Sequence, residues 1–353
     1  MEKKKYDEGG VSVIIPVFNG VKYIDSCLKC VLAQSLDNIQ IILVDDGSTD
    51  ESGKNLDDYA KKYKNIETVH RSNGGLGMAR NSGMEVAKYE FVGFVDVDDT
   101  IKPDMYEKMY AFIKQTGADC VCCDINVVSF NGEEHHVIQP YEQRVYKGDE
   151  VFPIKAALLG FSNSNIDGLP SACSKIYRKS VIDENQLLFN KRTHGEDWQF
   201  LLEYLATGAS IAFLHEVPYN YIHHSRESLV TKYREDYFDV ALNSRLLFER
   251  IYPEFDWTSP EKQKEKKDIP ITSILYYRRY LDKAQLKKKA EYILRKCKEI
   301  RLYDTYESSQ IYQKLYTAME KNDSNRFFEI LYKHTTIDYL KERAKQKMRE
   351  AIK

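Results

Sequence analysis

Val11-Ser12-Val13-Ile14-Ile15-Pro16-Val17, running into Phe18-Asn19-Gly20, is the stretch that decides the fold of this chain. It is β-branched almost throughout and lacks polar alternation, the pattern of a strand covered on both faces. Apolar residues at Ile24, Cys27, Leu28, Val31 and Leu32 follow at helical spacing and predict a helix over residues 21–35. A second buried strand over 39–44 ends in Asp45-Asp46-Gly47-Ser48, with Ser48 or Thr49 placed to cap a helix reaching residue 63. A strand at 66–70, a helix at 77–88 and a strand at 90–95 continue the rhythm. That last strand ends in Asp96-Val97-Asp98-Asp99, and Pro103 opens another helix. Short βα repeats of this kind predict an α/β fold, a mostly parallel sheet with helices on both faces.

From residue 118 the rhythm becomes less regular, and from 233 it is almost all helix, rich in Lys, Glu, Leu and Tyr. We therefore read an N-terminal extension at 1–10, an α/β domain at 11–232 with halves 11–117 and 118–232, and a C-terminal helical region at 233–353. The charged stretch 261–268, just after Pro260, reads as a linker. Tyr276, Tyr277, Leu281, Tyr292 and Leu294 are the candidate core of the helical region. A length of 353 residues suits one such domain with an appendage.

Hydrophobic residues at 42% and charged residues at 30% exclude the composition of a disordered chain. No stretch approaches the ~20 apolar residues of a membrane span, and no signal-peptide pattern follows the Lys-rich start. We expect a cytoplasmic protein. Cys27 and Cys30 form a C-x-x-C without a second pair at ligand spacing, so the seven scattered cysteines read as small buried residues in a reducing compartment rather than a zinc site. The net charge of −2 hides an asymmetry: residues 261–353 hold 24 Lys+Arg against 14 Asp+Glu. Such a tail suits an anionic partner, or is a set of solvated helix faces. Nucleic-acid binding is not expected, because the rest of the chain is acidic and carries no matching motif.

Ligands of an open parallel sheet bind beyond the carboxyl ends of its strands. Here those ends carry Pro16, Val17, Phe18 and Asn19, then Asp45 and Asp46, then Asp96, Val97, Asp98 and Asp99. Clustered carboxylates repel one another, and a hard divalent cation with a diphosphate in its shell resolves the conflict. Asn73-Gly74-Gly75-Leu76-Gly77 lacks the G-x-G-x-x-G spacing of a dinucleotide fingerprint; Gly74 and its neighbours read as a permissive loop letting backbone approach a ligand. Gly195-Glu196-Asp197-Trp198 precedes Phe200, Leu201, Tyr204 and Leu205 at helical spacing, which puts two acids in the first turn of a helix.

Residues 11–19, Val44-Asp45-Asp46-Gly47-Ser48-Thr49-Asp50, Asn73-Gly74-Gly75-Leu76-Gly77-Met78-Ala79-Arg80-Asn81 and Asp96-Val97-Asp98-Asp99, in that order, resemble the motifs of family 2 glycosyltransferases. The resemblance covers residues 11 to about 230 and leaves the tail outside. It implies a GT-A type, Rossmann-like fold and an inverting transfer from a UDP-sugar donor. By that resemblance, Pro16 to Asn19 line the nucleoside and Asp46 accepts a hydrogen bond from uracil. Arg80 lies near the nucleotide. Asp96 and Asp98 form a D-x-D motif facing ribose and a Mn²⁺ or Mg²⁺ ion respectively, with Val97 between them. Asp197 is the base, with Glu196 positioning or contacting the acceptor. His223 and His224, before Ser225 and Arg226, fall where relatives carry basic or metal-binding residues, and Lys175 matches a frequent family lysine in the donor's vicinity.

The reaction so implied is a single displacement: Asp197 takes the acceptor proton while the cation supports the leaving diphosphate. A bacterial surface-polysaccharide role suits the resemblance, with a carbohydrate, lipid-linked or protein acceptor. The basic stretch 338–353 suits peripheral contact with an anionic membrane, a protein acceptor or a homodimer. The rival enzyme is a haloacid-dehalogenase-type phosphatase with Asp96 as nucleophile, since Asp96-Val97-Asp98-Asp99-Thr100 resembles that motif. There, however, the motif normally opens its domain, whereas here three strands precede it.

Overall fold

The apolar runs recognised in the sequence are the inner strands of one sheet in the computed structural model, which describes residues 6–159, 161, 168–191, 195–224, 233–302 and 310–336. In chain order the first part comprises β1 (Asp7–Val17), α1 (Val21–Leu32), β2 (Ile39–Asp45), α2 (Ser52–Lys62), β3 (Ile66–His70), α3 (Leu76–Val86) and β4 (Tyr89–Phe94). It continues through β5 (Thr100–Ile101), α4 (Met105–Thr116), β6 (Cys120–Val128), β7 (Glu134–Val137), β8 (Val145–Tyr146) and α5 (Phe152–Leu158). Then come β9 (Lys175–Arg178), α6 (Lys179–Glu184), α7 (Glu196–Ala206) and β10 (Ile211–Ile222).

The strand order is β3-β2-β1-β4-β9-β6-β10-β5, with β7 on β6 and β8 on β10. Strands β3, β2, β1 and β4 are mutually parallel, as are β6 and β10, while β9 runs antiparallel between β4 and β6. The sheet is thus mixed, with one parallel part formed by β3, β2, β1 and β4. Successive strands step outward from β1 to β3, then the chain returns to the other side of β1. That reversal between β1 and β4 is the switch point where ligands of open α/β sheets bind.

Val11, Val13 and Ile14 in β1 and Ile41 to Val44 in β2 are fully buried, as unalternating apolar runs require. Ser12, the polar exception, donates to Gln40 Oε1 at 2.7 Å and accepts from the Lys88 and Tyr89 N–H groups, so it aligns the starts of β1, β2 and β4. On α1, Ile24, Cys27, Leu28 and Val31 form the buried face.

The chain divides into two compact units, Met1–Lys232 and Tyr233–Lys353. The second contains α8 (Tyr237–Ile251), α9 (Pro260–Tyr277), α10 (Lys283–Glu299), α11 (Gln310–Glu320) and α12 (Ser324–His334). Its core includes Phe238, Ile274, Tyr277, Leu294, Leu315 and Phe327, with Leu281 and Tyr292 packed against it. The expected linker at 261–268 is instead the opening of α9. Ser259 caps that helix by accepting the Lys262 N–H, and Pro260 occupies its first turn. The charges that resembled a solvated linker pair locally and with α8: Lys262 with Glu265 at 2.9 Å and Lys266 with Glu249 at 2.7 Å.

Helix α3 carries Arg80 and is seated on β1 through a glycine. A Cβ at Gly83 would lie 2.4 Å from Ile14 Cγ2. The substitution Gly83→Val should therefore cost about 1–3 kcal/mol by overpacking. A chemical denaturation curve unchanged from that of the parent would contradict this seating.

Candidate active site

The ends of β1 and β2 are tied together: the Val17 carbonyl accepts the Asp46 N–H at 2.8 Å. Pro16 is still in the ladder, opposite Val44, while Phe18 is exposed beyond the strand end. Asn19 adopts a left-handed φ of 49°. Its N–H donates to Ser48 Oγ at 3.1 Å, and its Oδ1 accepts the Thr49 N–H at 2.8 Å. Ser48 and Thr49 thus lock the two strand-end loops instead of capping α2, whose N-cap is Glu51. Val97 lies across from Gly20 at the same rim.

Adjacent Asp45 and Asp46 have separate tasks. Asp45 accepts the Ser48 N–H at 2.9 Å and faces His70 Nδ1 at 3.0 Å, while His70 Nε2 reaches Asp57 at 2.9 Å. Burial opposes the charged form of Asp45, but bonds from Ser48 and His70 prevail and hold its pKa below the ordinary value. The hydrogen bonds to Asp57 and Asp45 raise that of His70. Asp46 is buried and pairs with the Arg71 guanidinium. It also accepts the Gly74 N–H at 3.0 Å and the Gly75 N–H at 2.8 Å. Both oxygens being engaged, a base N–H would share an oxygen with these donors or displace one. Arg71 was not among the residues singled out in the sequence.

Arg80, expected near the nucleotide, is a buried residue. Its side chain has 0% exposure, so it can act on a donor only through the groups it binds. Nη2 donates to Asp96 Oδ1 at 3.0 Å; Nη1 donates to Asp197 Oδ1 and to Glu196 Oε1, the latter at 3.4 Å. The rings of Phe94 and Phe189 flank the guanidinium. Acids from the end of β4 and the first turn of α7 therefore meet at one cation. Asp197 Oδ2 also accepts the Ala172 N–H at 3.1 Å. Next in sequence, Asn81 exchanges two 2.8 Å hydrogen bonds with the Phe189 backbone, drawing the segment before α7 onto α3. Gly77 permits that approach, since a Cβ there would lie 2.7 Å from the Asn190 carbonyl. Asn81 stands beside Arg80 in the motif, the one signal that could have marked it.

Glu196 and Asp197 differ in environment. Burial, then the charge of Asp197, pushes the Glu196 pKa up to about 7 despite Arg80. Side-chain exposure is 9% for Glu196 and 22% for Asp197, so Asp197 is the one open to an incoming group.

Of the three acids after β4, Asp96 is committed to Arg80, and Asp99 is buried with its oxygens bonded to Tyr219 and to the Ile222 N–H. No described side chain pairs with the Asp98 carboxylate, whose pKa is raised by burial and then by Asp96. A carboxylate disfavoured as an anion beside another acid fits a divalent cation. Among the described residues no three His, Cys, Asp or Glu side chains converge as a closed metal site. The donors present instead suit Mn²⁺ or Mg²⁺ completing its shell with diphosphate and water. His224 Nε2 donates to the Asp98 carbonyl at 2.7 Å, and its ring lies 4.4 Å from that of Tyr23. His223 contacts the Tyr221 ring. Lys175 is buried, donating to the Ser171 carbonyl at 2.5 Å and to Ser174 Oγ at 3.2 Å, away from these acids' bonds. Ser225, Arg226 and the stretch 338–353 lie outside the described residues.

Acids at the strand ends on either side of the β1–β4 reversal are the arrangement expected of a nucleotide-sugar transferase. Residues 12–185 match the profile of Glycosyl transferase family 2, and the chain belongs to that family. It is 30% identical over 236 residues to EpsH of Bacillus subtilis, covering 66% of each chain. It is 27% identical over 225 residues to the poly(ribitol-phosphate) beta-glucosyltransferase of Bacillus spizizenii, covering 60% of this chain and 32% of that one. The chain thus spans less than two thirds of these relatives' length. The crystal structure of S. aureus TarS 1-349 in complex with UDP-GlcNAc matches with a TM-score of 0.64 at 21% identity, over 92% of this chain and 91% of that one. At that identity the likeness is one of fold.

The raised Glu196 pKa has a consequence for stability. The folded chain keeps a proton on Glu196 that the unfolded chain releases between its ordinary pKa of 4.5 and about 7. Stability is therefore lost as pH rises through that window. Glu196→Gln should melt higher than the parent at about pH 8, with the gain absent at about pH 4. A melting difference independent of pH would contradict the assignment.

Proposed function

We propose that this chain transfers a sugar from a UDP-sugar to an acceptor hydroxyl with inversion, in the synthesis of a cell-surface polysaccharide or related glycoconjugate. The observation that carries the reading is the meeting of Asp96 with Glu196 and Asp197 on buried Arg80, beside Asp98, which has no side-chain partner among the described residues. That arrangement puts acids suited to the donor side next to acids suited to the acceptor side. The uridine preference is supported by Asp46 as an acceptor and by the fold shared with UDP-bound TarS. The polysaccharide role draws on relatives such as the poly(ribitol-phosphate) beta-glucosyltransferase.

In this reading, residues 16–19 and Val97 line the nucleoside. Asp197, the more exposed of its pair, takes the proton from the acceptor hydroxyl as that oxygen attacks the anomeric carbon. Arg80 and the Ala172 N–H fix its orientation. Glu196 shapes the acceptor side and changes charge near neutrality. Asp98, with Asp96 beside it, would hold the divalent cation, which when bound supplies Lewis-acid support to the departing diphosphate. An Asp96 nucleophile of the phosphatase kind is disfavoured, because one of its oxygens is held by Arg80.

All seven cysteines are free, which suits a reducing cytoplasm. Among the described residues no helix is long and apolar enough to cross a membrane. Contact of the basic tail with a membrane surface, or dimerisation through it, remains part of the proposal.

The test is a thermal-shift panel of UDP, GDP, CMP and ADP, each with and without Mn²⁺. Ligand at ~100 times its dissociation constant adds about 2.7 kcal/mol. A rise with UDP that requires Mn²⁺ and fades in Asp98→Ala is the expected result. No response to any nucleotide would overturn the donor assignment.

A further inference from the structure

The fourth residue of the strand-end motif, Asp99, is an acid that the reaction above does not use. Its backbone N–H donates to the Asp96 carbonyl at 3.0 Å, closing Asp96-Val97-Asp98-Asp99 into a turn. The side chain is bound by β10. Tyr219 Oη donates to Asp99 Oδ2 at 2.6 Å, and the Ile222 N–H donates to Oδ1 at 2.8 Å. The same phenol oxygen accepts the Asp96 N–H at 3.3 Å. One buried hydroxyl therefore grips both ends of the turn that displays Asp96 and Asp98.

Strand β10 reinforces the grip. Tyr219 and Asn220 pair with Ile101 and Thr100 of β5, Asn220 Nδ2 donates to Thr100 Oγ1 at 3.1 Å, and His224 holds the Asp98 carbonyl. Tyr219 and Asp99 are each only 2% exposed. A buried acid beside two other acids is an expensive way to make a packing contact. An acceptor-only side chain is nevertheless what two inward-pointing donors require, since an amide in its place would turn an N–H₂ toward one of them.

We propose that Asp99 and Tyr219 are positioning residues that set the spacing and aim of Asp96 and Asp98 toward the cation and donor. Asp99 acts through the turn, its two oxygens being bonded to Tyr219 and to the Ile222 N–H. The inference rests on the reading of Asp96 and Asp98 given above. Outer partners of this kind typically change metal affinity ~10–100-fold when removed.

The experiment is a Mn²⁺ titration in saturating UDP, followed by the electron paramagnetic resonance signal of free Mn²⁺, for the parent, Tyr219→Phe, Asp99→Asn and the double variant. Melting temperature is recorded beside each titration. Tyr219→Phe should raise the Mn²⁺ midpoint about tenfold. Asp99→Asn should do likewise, and the double variant should lose less than the product of the two single losses, because the Tyr219–Asp99 bond is common to both. Hydrolysis of a UDP-sugar by the variants should return at high Mn²⁺. If Tyr219→Phe fails to fold, Asp99→Asn alone decides. A parent-like midpoint in the folded single variants, even with lowered melting temperature, would overturn the proposal and leave a structural contact. Absence of Mn²⁺ binding by the parent would instead sink the metal-site reading on which it rests.

Discussion

A guanidinium with no exposed surface is tolerable only when carboxylates replace the water it has lost. Removing such a cation from water costs several kcal/mol even after relaxation. Arg80 recovers that cost from Asp96, Glu196 and Asp197 together. Three acids around one cation leave an excess of negative charge, and Glu196 removes part of it, because burial and then the charge of Asp197 raise its pKa to about 7. The arrangement also joins the end of β4 to the start of α7, so the two sides of the proposed reaction share one electrostatic centre. Aromatic rings from Phe94 and Phe189 keep water from competing for it.

Around that centre, the strand-end acids divide by what they bind. Asp45 organises its own loop through Ser48 and His70, and Asp99 anchors the turn after β4. Asp46 gathers Arg71 and the Gly74 and Gly75 amides at the end of β2. Only Asp98 in the turn after β4 is left without a side-chain partner among the described residues. Repulsion between clustered acids is therefore relieved mostly by the protein's own donors, and the cation proposed above would meet what remains. That places the chemical demand at one carboxylate rather than at the whole cluster.

The strands were legible because β1, β2 and β4 are buried on both faces, which forces unalternating apolar sequence. The acids at their ends were legible for the same reason, as polar residues abruptly following such runs. Partnerships across long separations were not. Arg80 meets Glu196 and Asp197 at separations of 116 and 117 residues, and no local pattern announces a buried arginine. Ser48 and Thr49 carry the chemistry of helix caps but find a better partner in Asn19, whose left-handed backbone turns its amide toward them. The stretch 261–268 looked like a linker because its charges were read as solvated, whereas they pair along α9 and with α8. In the second unit the apolar spacing of Tyr277 and Leu294 was the more dependable guide.

The central claim, an inverting displacement with Asp197 as base, is tested most directly by following the anomer released when the chain hydrolyses UDP-α-N-acetylglucosamine and other UDP-α-hexoses with Mn²⁺. Proton NMR resolves the two anomers before they equilibrate. The account predicts that the β-anomer appears first with the parent chain, and that Asp197→Asn binds UDP but releases no sugar. Early appearance of the α-anomer, or undiminished release by Asp197→Asn, would contradict it.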